Sequence, residues 1–291
     1  MKKLIMNKIK KEVNEGCFFH VDNHERMYIG KKGKTGIIIS IFDLSGDIRR
    51  FETNEQILCE DIILFQQSSD DRYVFVYSKL HEYKVKVFSA NGKEQSVFSL
   101  PSGASCSLLD EKQNLWVGLS DEGIYDDENS NGQSVLCFTL DGQLKETHID
   151  QQLSEIYAPV VDDCYALAEK DGLIYMLYYA YTIIAAFDET DVKRVWIVSD
   201  KAYSGVYDQL AISDDGFWIA ISDDGFWICK DEQSLSLIPA DVSLPMQEVK
   251  CCDPDGRELS IQQLKLTSNA IYAISDSGIY KRDIRGGKSN E

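Results

Sequence analysis

AISDDGFWIAISDDGFWICKD, Ala211 to Asp231, contains the nine-residue word AISDDGFWI twice in succession, from Ala211 and again from Ala220. Its core, Ser-Asp-Asp-Gly followed by an aromatic pair, has a physical reading. Gly supplies the positive φ that tight turns need, and Asp caps a turn with its side chain. Each copy therefore reads as a strand, a turn and the start of another strand. Related words stand elsewhere: NLWVGLSDEGIY (Asn114–Tyr125) and NAIYAISDSGIY (Asn269–Tyr280). Each has a turn residue, an apolar-aromatic-apolar triplet, Ser-Asp-x-Gly and a second apolar-aromatic pair. On this reading Asp214–Gly216 closes the turn into the second strand of a unit and Asp223–Gly225 the turn into the third. Phe217 and Trp218 are then expected beside Phe226 and Trp227.

Looser copies begin at Glu25 (ERMYIGKKGKTGIIISIFD), Asp71 (DRYVFVYSKLHEYKVKVFS) and Asp171 (DGLIYMLYYAYTIIAAFD). The six triplet aromatics, Tyr28, Phe75, Trp116, Tyr175, Trp218 and Tyr272, recur every ~49 residues, close to the length of a propeller blade. A strand-like run precedes each triplet, from CFFHVD to IQQLKLT, and an aromatic, a polar turn and a further strand follow several of them. Short, evenly spaced strands without long helical periodicity read as all-β. The expectation is one domain over residues 1–291, a six-bladed β-propeller of four-stranded antiparallel blades, with seven as the alternative count. The last unit reaches only its third strand, IYKRDI. The N-terminal LIMNKIKKEV is expected to supply its outer strand and close the ring, which removes an exposed sheet edge.

The pattern around Leu115–Tyr125, Leu-Trp-Val-Gly followed by Asp-x-Gly-Ile-Tyr, resembles the regulator-type repeats of bacterial two-component sensor propellers, most clearly in units three, five and six. The resemblance implies a way of packing blades. Those sensors are large membrane receptors, and this chain has neither a membrane segment nor a signalling domain in its sequence, so the receptor role does not carry over.

Composition narrows the function. The chain of 291 residues has 48 acids, 30 bases and a net charge of −18, which repels nucleic-acid phosphates. An acidic face for a basic protein partner is the sharper reading of that charge. No apolar run approaches the ~18 residues that suggest a membrane span, and MKKLIMNKIKKEVNEG has charges where a signal peptide needs apolar residues. A cytoplasmic monomer is expected, acting on neither membrane nor nucleic acid, with its eight cysteines reduced. Cys17, Cys59, Cys106, Cys137, Cys164 and Cys229 lie in apolar strand contexts. Cys251 and Cys252 are adjacent and cannot make a C-x-x-C chelate.

Motifs for chemistry are sparse. GKKGKTG (Gly30–Gly36) lacks the spacing of a phosphate loop and leads into a strand, so it reads as a hairpin turn. DENSNG (Asp127–Gly132) opens like a calcium loop but has Phe138 where a bidentate Glu belongs. His20 and His24 lack the helix of a zincin and flank a turn. The first strands of the blades begin with acids, and Asp61, Asp163 and Asp208 are the candidate metal residues at one channel mouth, for Ca2+ or another divalent cation. Six-bladed gluconolactonase-type hydrolases use channel carboxylates with a metal, so a metal-dependent lactonase is the alternative function. Tyr178, Tyr179, Tyr181, Tyr203 and Tyr207 are the candidate partner-binding residues, because aromatics favour interfaces. A glycan or small-molecule site is a further alternative for them. The reading preferred is a non-catalytic interaction module, an acidic inhibitor, immunity-type or scaffold protein, with no catalytic residue and no resident cofactor assigned.

Overall fold

The computed structural model describes residues 2–10, 18–34, 36–43, 48–53, 57–58, 61–80, 82–126, 132–179, 182–198, 206–213, 216–222 and 234–284. Two short strands come first, β1 (Lys2–Ile5) and β2 (Asn7–Lys10). Blade one is β3 (Phe18–Val21), β4 (Met27–Lys32), β5 (Ile37–Phe42) and β6 (Ile48–Glu52). Blade two is β7 (Ile62–Gln67), β8 (Tyr73–Lys79), β9 (Glu82–Phe88) and β10 (Glu94–Leu100). Blade three is β11 (Ala104–Leu109), β12 (Leu115–Leu119), helix α1 (Asp121–Ile124), β13 (Val135–Phe138) and β14 (Leu144–Lys145). Helix α2 (Ile149–Glu155) leads to blade four, which is β15 (Asp163–Lys170), β16 (Leu173–Tyr179), β17 (Ile183–Phe187) and β18 (Val192–Ile197). Blade five is β19 (Val206–Ser213), β20 (Gly216–Ser222), β21 (Ser234–Pro239) and β22 (Gln247–Cys252); blade six is β23 (Ile261–Leu266), β24 (Ala270–Ser275) and β25 (Gly278–Asp283).

Each blade runs in sequence order from the inner strand outward, and the inner strands pack one against the next around the ring. The six-bladed, four-stranded expectation holds. So does closure: β2 pairs antiparallel with β25 and becomes the outer strand of blade six. One further pairing was not legible. β1 runs parallel to β22, with Leu4 opposite Cys251, and gives blade five a fifth strand. Met6, between the two strands, is fully buried.

The triplet aromatics have a repeated structural task. In blade one the Tyr28 hydroxyl donates to Asp22 at 2.7 Å, in blade three Trp116 Nε1 donates to Asp110 at 2.9 Å, and in blade five Trp218 Nε1 donates to Ser213 Oγ at 3.0 Å. Each acceptor ends an inner strand and starts the turn to the next. The ring fills the core, and its single polar atom pins that turn. Gly118 marks a close approach between blades: a Cβ there would lie 2.3 Å from Cys164 Sγ and 2.7 Å from Cys106 Sγ.

One local expectation is corrected and another falls outside the described residues. β21 lies beside Phe217 and Trp218, with Trp218 opposite Leu237; Phe226 and Trp227, expected there, are not among the described residues. Residues 223–233, which hold most of the second copy, lie outside the described residues, as do Asp214 and Asp215. In blade three, Ser-Asp-Glu-Gly makes the helical turn α1 rather than a hairpin, and the third strand starts only at Val135. Blade six keeps the expected form, with Ser275 paired directly to Gly278.

Candidate functional site

The antiparallel order puts the turns after first strands on one face of the ring. The connections between second and third strands, and those from one blade to the next, occupy the other. The first face is laced together. Arg26 donates to the Gln67 carbonyl at 2.6 Å, Arg72 to Gln113 Oε1 at 2.8 Å, and Asn269 to the Asn23 carbonyl at 3.0 Å, joining neighbouring blades. The Glu111 amide donates to Glu169 at 3.0 Å, and the Ser268 hydroxyl reaches both Asn23 and the Glu169 carbonyl, spanning that mouth of the channel.

The second face carries apolar side chains instead. Leu58, Leu80, Tyr125, Ile156, Tyr157 and Val160 all belong to its connections and all are exposed. Four of them gather where blades three and four meet. Burial of Ile149 and Leu153 fixes α2 to the ring, while the chain after it carries Tyr157 and Val160 outward, 95% and 71% exposed. A groove of about 490 Å³ runs between them, with Tyr125, Leu153, Tyr157 and Val161 in its walls. The Tyr125 hydroxyl donates to Asp162, which holds its pKa up, and Tyr179 lies beside it, its carbonyl accepting from the Asp162 amide at 3.4 Å. Tyr179 in turn packs edge-on against Tyr165 at 6.2 Å.

The segments that carry this patch are acidic in sequence. The connecting segments 120–134 and 146–163 contain five carboxylates each and no lysine or arginine. Asp163 is pushed up to about 6, first by burial and then by the Asp121 carboxylate. Asp150 is also raised by burial, although the Ser134 amide and hydroxyl donate to it.

The residues singled out from sequence are distributed unevenly. Tyr179 is exposed at the end of β16, where its carbonyl meets the Asp162 amide. Tyr178 is not exposed: its side chain is fully buried, so it packs the blade and cannot face a partner. This follows from strand alternation, which sends neighbouring residues to opposite faces. Tyr181 and Tyr203 lie outside the described residues, and Tyr207 is described only as backbone in β19. Asp61 accepts the Leu58 amide at 3.0 Å. The Asp208 side chain lies outside the described residues, and no three His, Cys, Asp or Glu side chains converge for a metal among those described. Asp127 to Asn131 of the calcium-like loop also lie outside. Tyr157 stands among the aromatics that the sequence singles out beside Tyr178 and Tyr179; Tyr125 and Val160 were missed, because their neighbourhood depends on α1 and α2, and the run of acids without a base was the available signal.

A family model matches residues 135–222 and again 219–282, together just over half of the chain and extending from β13 to β25. The chain belongs to the YxzG family. Two Bacillus subtilis relatives, the uncharacterized proteins YxzG and YxiH, are 59% and 58% identical over 150 and 110 residues. This YxzG-family chain covers 99% and 100% of them, and they cover 51% and 38% of it. Among solved structures, a catalytically inactive virginiamycin B lyase from Staphylococcus aureus with quinupristin is similar over 95% of this chain and 98% of its own, at TM-score 0.50 and 10% identity. A Bacteroides caccae protein of unknown function is similar over 89% and 90%, at TM-score 0.50 and 14% identity. Likeness at that identity shows the fold alone. No helix among the described residues is long and apolar enough to cross a membrane.

Proposed function

We propose that this chain is a non-catalytic interaction module of the inhibitor or immunity type, acting in the cytoplasm, and that it docks a basic protein through the second face at blades three and four. The observation that supports this reading is the exposed group Tyr125, Tyr157 and Val160, carried by segments 120–134 and 146–163, whose sequences hold ten carboxylates and no lysine or arginine. An apolar centre supplies area, and the acidic segments select partners with apolar residues flanked by lysine or arginine. The likeness of units three, five and six to sensor repeats concerns blade packing and does not bear on the choice.

A photo-crosslinking residue placed at Tyr157 tests the reading in cells. An adduct with one protein that carries a basic patch is expected, with no adduct when the residue is placed at Leu144 on the outer strand of blade three. Val160→Ser is expected to weaken the complex with that protein by roughly tenfold. Absence of any adduct at Tyr157, or the same adducts from both positions, rejects this reading.

A further inference from the structure

Two thiols from neighbouring blades meet beside the channel. Cys106 on β11 and Cys164 on β15 have their sulfurs 3.7 Å apart, and both cysteines are free. Each stands at a register shift of its strand pair, Cys106 just after Ser105 and Cys164 just before Tyr165. Such bulges re-aim side chains. The backbones are fastened at the same point, where the Ser105 hydroxyl donates to the Cys164 carbonyl at 2.7 Å.

Packing alone does not ask for this pair. At the junction of blades two and three the corresponding positions are Leu64 and Ala104, and the residue opposite Leu64 is Val76. Opposite Cys106 stands Gly118. A Cβ at Gly118 would lie 2.3 Å from Cys164 Sγ and 2.7 Å from Cys106 Sγ, so the missing side chain is what admits both sulfurs. No third His, Cys, Asp or Glu joins them among the described residues, which leaves too few ligands for a divalent metal.

The two thiols differ in access. Cys106 is partly exposed and lines a cavity of about 340 Å³ between the six inner strands, whereas Cys164 is fully buried. The hydrogen bond with Cys106, and then burial, holds the Cys164 thiol protonated; the Asp163 and Asp150 carboxylates act in the same direction. A field of that sign disfavours anionic reagents and favours a small neutral one.

We infer that Cys106 and Cys164 form a reversible oxidation site, a dithiol that hydrogen peroxide converts into a disulfide stapling blade three to blade four. The Cys106 thiolate attacks one peroxide oxygen. The O–O bond breaks, and the hydroxide released takes up the proton that the thiol lost and leaves as water. The Cys164 sulfur then attacks the sulfur of the Cys106 sulfenic acid. The S–O bond breaks, the S–S bond forms, and the hydroxyl departs with the Cys164 proton as a second water. Both sulfurs are oxidised and the peroxide is reduced; a dithiol reductant reverses the step. The product ties β11 to β15 across 58 positions of the chain, a constraint that acts on the unfolded state. The site stands independently of the docking reading.

Treatment of the reduced full chain with hydrogen peroxide, followed by alkylation and peptide mapping by mass spectrometry, tests this. A Cys106–Cys164 disulfide is expected, reversed by dithiothreitol, with the oxidised chain melting about 5 °C or more above the reduced one. Cys164→Ser is expected to hold Cys106 as the sulfenic acid, captured by dimedone, and Cys106→Ser to leave Cys164 unlabelled. Glutathione disulfide, bulky and anionic, is expected to form the same link roughly tenfold or more slowly at equal concentration. Absence of the Cys106–Cys164 link overturns the proposal. So does a link between other cysteines that forms first, a dimedone adduct on Cys164, an unchanged melting temperature, or an equal rate with glutathione disulfide. Should Cys164→Ser fail to fold, Cys164→Ala takes its place, and the map of the unsubstituted chain still decides.

Discussion

Glu169 is a residue where burial works against charge. Its side chain is nearly enclosed, and its pKa is pushed up to about 7, first by desolvation and next by the Asp110 carboxylate; the Glu111 amide pulls the other way. The unfolded chain titrates this group near 4.5. Between those values the folded state holds the extra proton, so the contribution to stability is complete below about 4.5 and is lost as pH rises through about 7. Glu169→Gln keeps an acceptor for the Glu111 amide and cannot ionise. It is expected to flatten stability against pH in that window and to gain roughly 3 kcal/mol at most at pH 8. Denaturant titrations of both proteins at pH 5 and pH 8 measure the difference, and equal slopes would refute it. At the same scale, Tyr28, Trp116 and Trp218 show what the sequence repeat encodes. In these three blades the aromatic fills the core and its polar tip fastens a turn, which is why the words were legible as architecture and silent about ligands.

At the scale of elements, one word has two outcomes. SDSG in blade six is a hairpin, since an apolar strand, Gly278 to Asp283, resumes at once. SDEG in blade three is a helical turn, and there Gly123 sits so close to the segment before β11 that a Cβ would lie 2.4 Å from the Ser102 carbonyl. That contact is tertiary, and nothing in the word itself announces it. The blade count, the inner strands and the closing strand were readable because period-2 burial and spacing are written along the chain. The groove beside α2 was not, because Tyr125 and Tyr157 meet only when blades three and four pack. β1 escaped because Leu4 and Met6 look like part of one strand with Ile9. The closing strand also yields a prediction. Removing residues 2–10 bares the edge of β25 and the buried site of Met6, and is expected to lower the melting temperature and produce self-association. Removing residues 2–5 alone leaves β2 in place and is expected to cost less. Sedimentation velocity and thermal scans on both truncations check the order; equal behaviour would show that β2 does not close the sheet.

For the whole molecule, the dominant quantity is the charge of −18 spread over a rigid ring. Complementary fields speed encounter more than they tighten the final complex. Association with the partner trapped at Tyr157 is therefore expected to slow by roughly tenfold or more between low salt and about 0.5 M, while dissociation changes less. Stopped-flow measurements across salt distinguish the two. A salt-independent association rate would mean that the acidic segments play no part in steering.

The staple formed by β1 and β2 has a consequence in time. During synthesis β1 and β2 are made long before their partners, Val249–Cys252 for β1 and Ile279–Lys281 for β2. Blades one to four can assemble in the order of translation, but β1 and β2 must wait unpaired until the strands of blades five and six have been made. Ring closure is thus a late event, and the interval before it is when this chain most needs protection by chaperones.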